Sequence, residues 1–265
     1  MTNPKKHYIK KRLKDADVMT LISQDEDGNV ILTEEEVEDL FSRDKKFIPE
    51  YQSKLRRSIV EVPEEVYEAS GIRIFGKRIK SFLFTTDLAV IRNSNADAVI
   101  AVYPFTPQQS IMESIIHVSS MPTVMGVGGG TTTGQRSIEL AFTAEQLGAF
   151  GVVVNTPMPP SVIKEMEALI DVPIITTVVS PNDDYQSKLE AGASMLNVSA
   201  ADKTALTVRK IRQEIGDKVP IIATGGPTGE SIKETIEAGA NAITYTPPTT
   251  AKIFASIMSE YRQQR

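Results

Sequence analysis

The stretch Val219-Pro-Ile-Ile-Ala-Thr-Gly-Gly-Pro-Thr-Gly229 joins a short apolar run to a glycine turn, and a helical pattern over Ser231–Ala238 follows. The β-branched run predicts a buried strand over Pro220–Thr224. Glycines let the backbone approach a ligand closely, and a helix start presents unpaired N–H groups and a positive dipole end. The stretch is therefore a candidate phosphate site, although a glycine turn is also an ordinary connection between a strand and a helix.

Similar stretches recur along the chain at a regular spacing. Pro122, Pro173 and Pro220 each lie at the start of an apolar run, and they are 51 and 47 residues apart. Apolar, β-branched runs of this length are typical of strands that are buried on both faces. A second kind of run alternates with the first, and its members are Ala96–Val102, Gly148–Val154, Gly192–Val198 and Gly239–Tyr245.

Amphipathic helical patterns lie between these runs. With Ser81–Thr86 as a first strand, the chain has eight predicted strands and eight predicted helices in about 185 residues. Strict alternation implies parallel strands joined by right-handed crossovers. Eight similar units without a topological break predict an α/β fold, a single (β/α)8 TIM barrel, rather than an open doubly wound sheet. The helical patterns are Leu88–Arg92, Gln109–Val118, Ser137–Leu147, Ser161–Ile170, Tyr185–Ala191, Ala205–Ile215, Ser231–Ala238 and Thr250–Tyr261.

The barrel is expected to span residues 71–265, with a small hairpin over 72–80 that plugs one end. Residues 1–70 form a predicted N-terminal extension of a hairpin and helices, in which an acidic turn, Asp25–Gly28, is followed by a capping box that begins at Thr33. The acidic turn partly matches a calcium-binding loop, but no helical pattern leads into it. Because the extension has more elements than a plug needs, we expect a homo-oligomer.

Composition limits the function classes. The chain of 265 residues has no Cys and a net charge of −5, which excludes disulfides and cysteine metal sites and disfavours a nucleic-acid partner. No apolar run approaches the roughly 20 residues of a membrane span, and the basic N-terminus lacks the apolar core of a secretory signal. We therefore expect a cytoplasmic protein with no membrane partner.

In TIM barrels the ligand binds at the C-terminal ends of the strands. Gly225, Gly226 and Thr228 follow the seventh strand, and Thr246 and Thr249 follow the eighth. These are the positions where many barrels bind phosphate, so the five residues are the predicted phosphate site. The alternative is that Gly225 and Gly226 only form a tight turn.

Further polar residues follow the other strands. The third strand runs into a loop with three glycines and three threonines before Arg136. Such a loop can close over a ligand, with Arg136 as an anion clamp; the alternative is an open surface loop with Arg136 in a helix salt bridge. The predicted substrate-binding residues are Gly128, Gly129, Arg136, Asn155, Asn197 and Ser199.

Acid–base groups are scarce at the predicted strand ends. The two histidines, His7 and His117, lie in the N-terminal arm and late in a helix. Asp87 follows the first strand directly and is a candidate general base or metal ligand, or equally a helix N-cap. Tyr103 is a candidate proton donor, and Lys203 is placed to meet an anion. The predicted catalytic residues are Asp87, Tyr103 and Lys203.

The segment Pro220–Thr246 resembles the phosphate-binding quarter of a barrel superfamily that includes thiamine-phosphate synthase, thiazole synthase, N-acylmannosamine-6-phosphate epimerase and 2-keto-3-deoxy-phosphogluconate aldolase. The resemblance implies a phosphorylated substrate. The aldolases' lysine on the sixth strand has no counterpart in Met195–Ser199, and the eighth strand ends in Tyr245–Pro248 where a second glycine turn is common. The whole chain also looks like a group of uncharacterised bacterial barrel proteins, some of them labelled hydrolase.

Three hypotheses follow. The first is an enzyme that acts on a small phosphorylated metabolite by isomerase, lyase or synthase chemistry. The second is a hydrolase of a phosphate or related ester, with Mg²⁺ held by Asp87 and Asp183, because two carboxylates without histidine suit a hard cation. The third is a non-catalytic ligand-binding or scaffold protein, since acid–base groups are few.

Overall fold

A computed structural model describes Tyr51 and residues 59–263 of the chain. The predicted acidic turn, the capping box at Thr33 and the partial calcium-loop match lie outside the described residues. The described residues from 59 onward belong to one compact unit. The boundary between extension and barrel at residue 70 stays a prediction.

The predicted (β/α)8 barrel is confirmed. Eight parallel strands close into a barrel in chain order, and the last strand pairs with the first. A helix lies between each pair of successive barrel strands, so every connection within the barrel is a crossover. The barrel strands are β3 (Ser81–Phe84), β4 (Ala98–Ala101), β5 (Thr123–Gly128), β6 (Gly151–Val154), β7 (Ile174–Val178), β8 (Met195–Val198), β9 (Ile221–Thr224) and β10 (Ala242–Tyr245).

Eight α-helices of the described part surround the strands. Several of them stop at a Gly-Ala pair because the glycine adopts a positive φ, +96° at Gly148 and +112° at Gly239. None of these helices combines the length and the apolar character needed to cross a bilayer. The helices are α1 (Leu88–Arg92), α2 (Gln109–Val118), α3 (Gln135–Gln146), α4 (Pro160–Glu167), α5 (Tyr185–Glu190), α6 (Thr204–Ile215), α7 (Gly229–Glu237) and α8 (Thr250–Gln263).

A two-stranded antiparallel hairpin precedes the barrel. Its strands, β1 (Ile72–Ile74) and β2 (Lys77–Ile79), pair Ile72 with Ile79. Three buried isoleucines of the hairpin belong to the same apolar cluster as the inward-facing side chains of the barrel. The hairpin therefore packs against the barrel interior.

Side-chain alternation divides each barrel strand into an inward and an outward face. The interior cluster takes one residue from most strands, such as Ile175 of β7 and Ala242 of β10. Their chain neighbours Ile174 and Ile243 instead join clusters that face the helices. Residues two positions beyond the interior core therefore face inward at the C-terminal mouth, where the candidate site lies.

Candidate functional site

A cavity of about 220 Å³ opens at the C-terminal ends of β4, β5 and β6. This volume is below the roughly 300–1,000 Å³ of a pocket for a drug-sized ligand, so the cavity matches a small metabolite. Four of the predicted site residues line it, namely Tyr103, Gly128, Gly129 and Asn155. The other lining residues are Val102, Pro104, Phe105, Pro107, Gly126, Thr131, Thr132 and Val153.

The loop between β5 and α3 forms one side of this cavity. Gly129 and Gly130 have φ values of +102° and +101°, which side-chain-bearing residues rarely adopt. The Gly129 N–H donates to the Thr132 carbonyl at 2.8 Å, and the Thr132 hydroxyl donates to that of Thr106 at 3.3 Å. Thr132 is buried, so it fixes the loop against the segment that follows β4.

The backbone of this loop has several N–H donors without a partner in the described part of the chain. None of the seven consecutive N–H groups from Gly130 to Arg136 donates to another described residue. The last two belong to the first turn of α3, where N–H groups point along the axis at the positive dipole end. The segment from Gly130 to Arg136, named here the donor loop, therefore offers an anion a continuous set of hydrogen-bond donors.

Tyr103 and Asn155 line the same cavity as Thr131 and Thr132 of the donor loop. The Tyr103 hydroxyl oxygen accepts from the Gln108 N–H at 2.9 Å, which leaves its O–H free to donate to a ligand. The Asn155 backbone donates to the Gly128 carbonyl at 2.9 Å and accepts from the Met158 N–H at 3.0 Å. Its position is thus fixed, while its side-chain amide makes no hydrogen bond to another described residue.

The turn after β9, in which the sequence predicts phosphate binding, is built differently. A Cβ on Gly225 would lie 2.7 Å from Ile232, so this glycine lets α7 pack closely on the strand. Thr228 is the N-cap of α7, and its side chain and backbone both bond to Ser231 in a capping box. Pro227 has no N–H to offer. Most donors of this turn are therefore already engaged or absent.

Two carboxylates also lie at the start of α7. The Glu230 carboxylate accepts from its own backbone N–H, and this hydrogen bond is the main reason that its pKa is lowered. The Glu65 carboxylate lies against Gly229. Both occupy the positive end of the helix where an anion would bind. Of the predicted partners after β10, the Thr249 hydroxyl accepts from the Lys252 N–H at 3.3 Å, and Thr246 is exposed. Phosphate binding by these residues stays a prediction.

A band of inward-facing polar side chains, named here the polar wall, lines the opposite half of the barrel mouth. The Asn197 side-chain N–H donates to the Thr177 hydroxyl at 3.4 Å, and the Thr224 hydroxyl donates to that of Ser199 at 3.2 Å. Two buried oxygens of the wall, Asn197 Oδ1 and Thr244 Oγ1, have no hydrogen-bond partner in the described part of the chain. The polar wall consists of Thr177, Asn197, Ser199, Thr224 and Thr244.

Asp87 caps the first helix and is also linked to the last. Its Oδ1 accepts from the N–H groups of Ala89 and Val90 at 3.0 and 3.2 Å. Its Oδ2 accepts from the hydroxyl and the N–H of Thr250, the first residue of α8. The Thr250 hydroxyl is the largest cause of a lowered Asp87 pKa. The N-cap interpretation of Asp87 is confirmed, and its role as a base stays a prediction.

The remaining charged candidates lie outside the cavity. Lys203 is exposed in a 3₁₀ turn after β8, and Arg136 is exposed in the first turn of α3. In the described part of the chain, neither cation pairs with a carboxylate within 4.0 Å. Arg136 is therefore not held in the helix salt bridge that the sequence left open, as far as residues 59–263 show.

The described residues do not fit the expected Mg²⁺ site. Asp183 Oδ2 accepts from the N–H groups of Val179 and Ser180 at 2.7 and 3.1 Å, and both oxygens of Asp87 accept from helix starts. Between residues 59 and 263, no group of three or more His, Asp or Glu side chains is placed to hold a metal. Mg²⁺ is usually held by one or two carboxylates together with waters and substrate oxygens, but Asp87 and Asp183 both use side-chain oxygens to accept from backbone N–H groups.

Sequence reasoning missed two parts of this mouth. Thr131 and Thr132 were visible in the glycine-rich loop, but only the structure shows that they line the cavity. Thr177 and Thr244 lie inside strands, and their alternation with outward-facing neighbours marks them as inward-facing. Counting two positions beyond the apolar interior residues would have found both.

Solved structures with the same fold are similar to this chain at low sequence identity. A protein provisionally assigned as a phosphonomutase, from Burkholderia cenocepacia J2315, has a TM-score of 0.55 at 13% identity, over 76% of this chain and 96% of that one. A phosphonopyruvate hydrolase in complex with oxalate and Mg²⁺ has a TM-score of 0.52 at 14% identity, over 70% and 80%.

A 4-hydroxy-tetrahydrodipicolinate synthase from Methylacidiphilum fumariolicum SolV has a TM-score of 0.51 at 12% identity, over 64% of this chain and 68% of that one. No protein-family model and no curated protein sequence matches the chain. At these identities the likeness shows the TIM-barrel fold alone, so the site must carry any argument about function.

Proposed function

We propose that this protein is an enzyme that acts on a small phosphorylated metabolite, through isomerase, lyase or synthase chemistry, in the cavity at the ends of β4, β5 and β6. The observation that carries the proposal is the donor loop beside this cavity, with seven consecutive N–H groups that have no partner among the described residues. The similar barrels carry the names of a mutase, a hydrolase and a synthase, which supports an enzymatic role.

The phosphate group is assigned to the donor loop rather than to the turn after β9. A phosphate dianion has several acceptor oxygens and is best held by many N–H donors at a helix start. The donor loop supplies these and has the Arg136 guanidinium in the adjoining first helical turn. The turn after β9 has instead a proline, a closed capping box and two carboxylates.

Within the cavity, Tyr103 is the proposed proton donor and Asn155 the group that orients the substrate. Tyr103 is the one ionisable side chain among the cavity-lining residues of the described part. Its hydroxyl oxygen accepts from the Gln108 N–H, and its O–H donates to no other described residue, so it is available to a ligand. Asp87 and Lys203 lie on other strand ends, and neither lines the cavity.

A search for turnover tests this proposal. The protein is incubated with a panel of phosphorylated sugars, polyols and short acids, and ³¹P NMR follows each compound. We expect conversion of one class of these compounds, and we expect Tyr103→Phe to lower the rate by roughly 10²-fold while binding persists. If the protein fails to bind any phosphorylated compound more tightly than chloride at equal ionic strength, the proposal is wrong.

The non-catalytic hypothesis is a second candidate, favoured by one observation. Among the three predicted catalytic residues, only Tyr103 lines the cavity. A ligand-binding protein would bind a member of the panel saturably and convert none of it, and Tyr103→Phe would then leave every measured quantity except affinity unchanged.

A further inference from the structure

The inner surface of the barrel mouth has two chemically distinct halves. On β3, β4 and β5, the positions two residues beyond the interior core are Phe84, Val102 and Gly126, which have no polar side-chain atoms. On the four strands from β7 to β10, the equivalent positions are polar and belong to the polar wall. They are Thr177, Asn197, Thr224 and Thr244, and Ser199 lies two residues beyond Asn197. Every polar atom of this wall is a hydroxyl or an amide, and none is charged.

The wall is left with unused hydrogen-bonding capacity. Thr244 is only 7% exposed, and its hydroxyl has no partner among the described residues. Asn197 Oδ1 also has no partner among the described residues, although the amide nitrogen of the same side chain donates to the Thr177 hydroxyl. Buried polar atoms are nearly always paired, so unpaired ones that face the barrel mouth, unlike those that face the helices, are placed to take a partner from outside the chain. Two such atoms on β8 and β10 flank the inward-facing Thr224 of β9.

The wall is open on its solvent side. Ser199 is exposed and Thr224 is half-buried, and their hydroxyls are joined by a hydrogen bond at the rim. Thr244 pairs with Thr224 across neighbouring strands, and Asn197 pairs with Thr177. The two residues with unpaired oxygens therefore lie beside the rim contact that a ligand group would displace.

We infer that the polar wall binds hydroxyl groups of the substrate, so that the substrate is a phosphate monoester of a short polyol or sugar. This inference rests on the proposed function, because it places the hydroxyl-bearing end of the molecule whose phosphate meets the donor loop. A hydroxyl both donates and accepts, so it can pair with Asn197 Oδ1 and with the Thr244 hydroxyl. A second charged group finds no opposite charge on the wall, and an alkyl chain would leave the unpaired oxygens unsatisfied.

Two matched phosphate esters test the inference in the full-length protein. Glycerol 3-phosphate and propyl phosphate have the same carbon chain and the same phosphate group, and differ by two hydroxyls. Calorimetric titration is expected to show tenfold or greater preference for glycerol 3-phosphate, which corresponds to about 1.4 kcal/mol or more. In Thr244→Val and Asn197→Leu, affinity for propyl phosphate is retained and the preference falls below about threefold.

Thr176→Val is the matched control. Thr176 on β7 is fully buried and its hydroxyl also lacks a described partner, but it alternates with the inward-facing Ile175 and Thr177 and so faces the helices. Removing an unpaired buried hydroxyl leaves the melting temperature unchanged or raises it in both threonine variants. Of these two threonine variants, only Thr244→Val is expected to lose the preference for glycerol 3-phosphate over propyl phosphate.

The outcomes separate the inference from the proposed function. Equal affinity for both esters in the unmodified protein overturns the inference and leaves phosphate binding intact. An equal loss of preference in Thr176→Val and Thr244→Val overturns it as well. If neither these esters nor any other phosphorylated compound of the panel binds, the proposed function fails, and unphosphorylated erythritol decides: saturable binding that Thr244→Val abolishes supports the polar wall, and absence of binding overturns it.

Discussion

Gly129 lies directly against Asn155. A Cβ on Gly129 would be 2.6 Å from both the backbone nitrogen and the Cβ of Asn155, well inside any normal contact distance. This close approach brings the loop after β5 onto the end of β6, and both Gly129 and Asn155 line the cavity. The neighbouring Gly130 has a similar φ but no atom within 4 Å of the same position.

These two glycines give the first prediction. Gly129→Ala is expected to displace Asn155, to raise the dissociation constant for inorganic phosphate more than tenfold, and to lower the melting temperature. Gly130→Ala carries only the backbone strain of about 1–2 kcal/mol for a residue at positive φ, so binding should persist. Isothermal titration and thermal unfolding of both variants check this; equal phosphate affinity in the two variants would contradict it.

The second prediction concerns the turn after β9. Thr228→Ala removes the N-cap of α7 and is expected to cost about 1 kcal/mol of unfolding free energy. Phosphate affinity should stay unchanged, because the proposal places the phosphate at the donor loop and the Thr228 N–H still donates to the Ser231 hydroxyl. Urea unfolding and phosphate titration of the same sample measure both quantities. A large loss of phosphate affinity would indicate that phosphate binds at Gly225, Gly226 and Thr228, as the sequence predicts.

The third prediction is a pH dependence at Asp87. Hydrogen bonds from Thr250 lower its pKa in the folded state, so the folded protein favours the carboxylate. The resulting stabilisation is present above the unfolded pKa of about 3.9 and is lost as pH falls through the lowered folded value. Asp87→Asn keeps an oxygen that can cap the helix, but its side-chain amide does not titrate.

Unfolding in urea at several pH values measures this effect. The unmodified protein should be more stable than Asp87→Asn near neutral pH, and the difference should shrink as pH falls below the unfolded pKa of about 3.9. Asp87→Ala, which removes the cap of α1 as well, should be less stable than Asp87→Asn by about 1 kcal/mol. A constant difference between the unmodified protein and Asp87→Asn from pH 7 to pH 2 would show that the carboxylate charge contributes nothing.

The fourth prediction concerns Arg212 of α6, which links the segments that lead into β9 and β10. Its guanidinium donates to the carbonyls of Gly216, Val219 and Gly239 and to the Asn241 side chain, at 2.6 to 2.9 Å. Arg212→Met leaves these acceptors without their charged donor and should cost about 3 kcal/mol. Arg209→Met, an exposed change on the same helix, should stay within about 0.5 kcal/mol. Chemical denaturation compares the two, and equal costs would refute the role of Arg212.

The barrel could be predicted from sequence because its signal is local and repeated. Each run after Pro122, Pro173 and Pro220 is a buried strand, and the alternation with amphipathic helices determines parallel topology. The dual contact of Asp87 could not be predicted, because its partner Thr250 lies 163 residues away and reaches it only through barrel closure.

The two glycine-rich turns show where sequence reasoning about the site stopped. Gly225 and Gly129 are both glycines after a barrel strand, and the pattern is the same for each. In the structure Gly225 makes room for Ile232 of its own helix, whereas Gly129 makes room for Asn155 at the cavity. Contacts between distant segments determine which backbone N–H donors remain unpaired, and the residue types alone do not reveal these contacts.

The most direct test of the central claim is a titration of the ¹⁵N-labelled protein with inorganic phosphate, with chloride at equal ionic strength as reference, followed through backbone amide chemical shifts. Saturable shifts are expected at the amides of Gly130 to Arg136, and none at Gly226 and Gly229. Saturable shifts at Gly226 and Gly229 with none in the donor loop, or no saturable shift at any amide, would contradict the account.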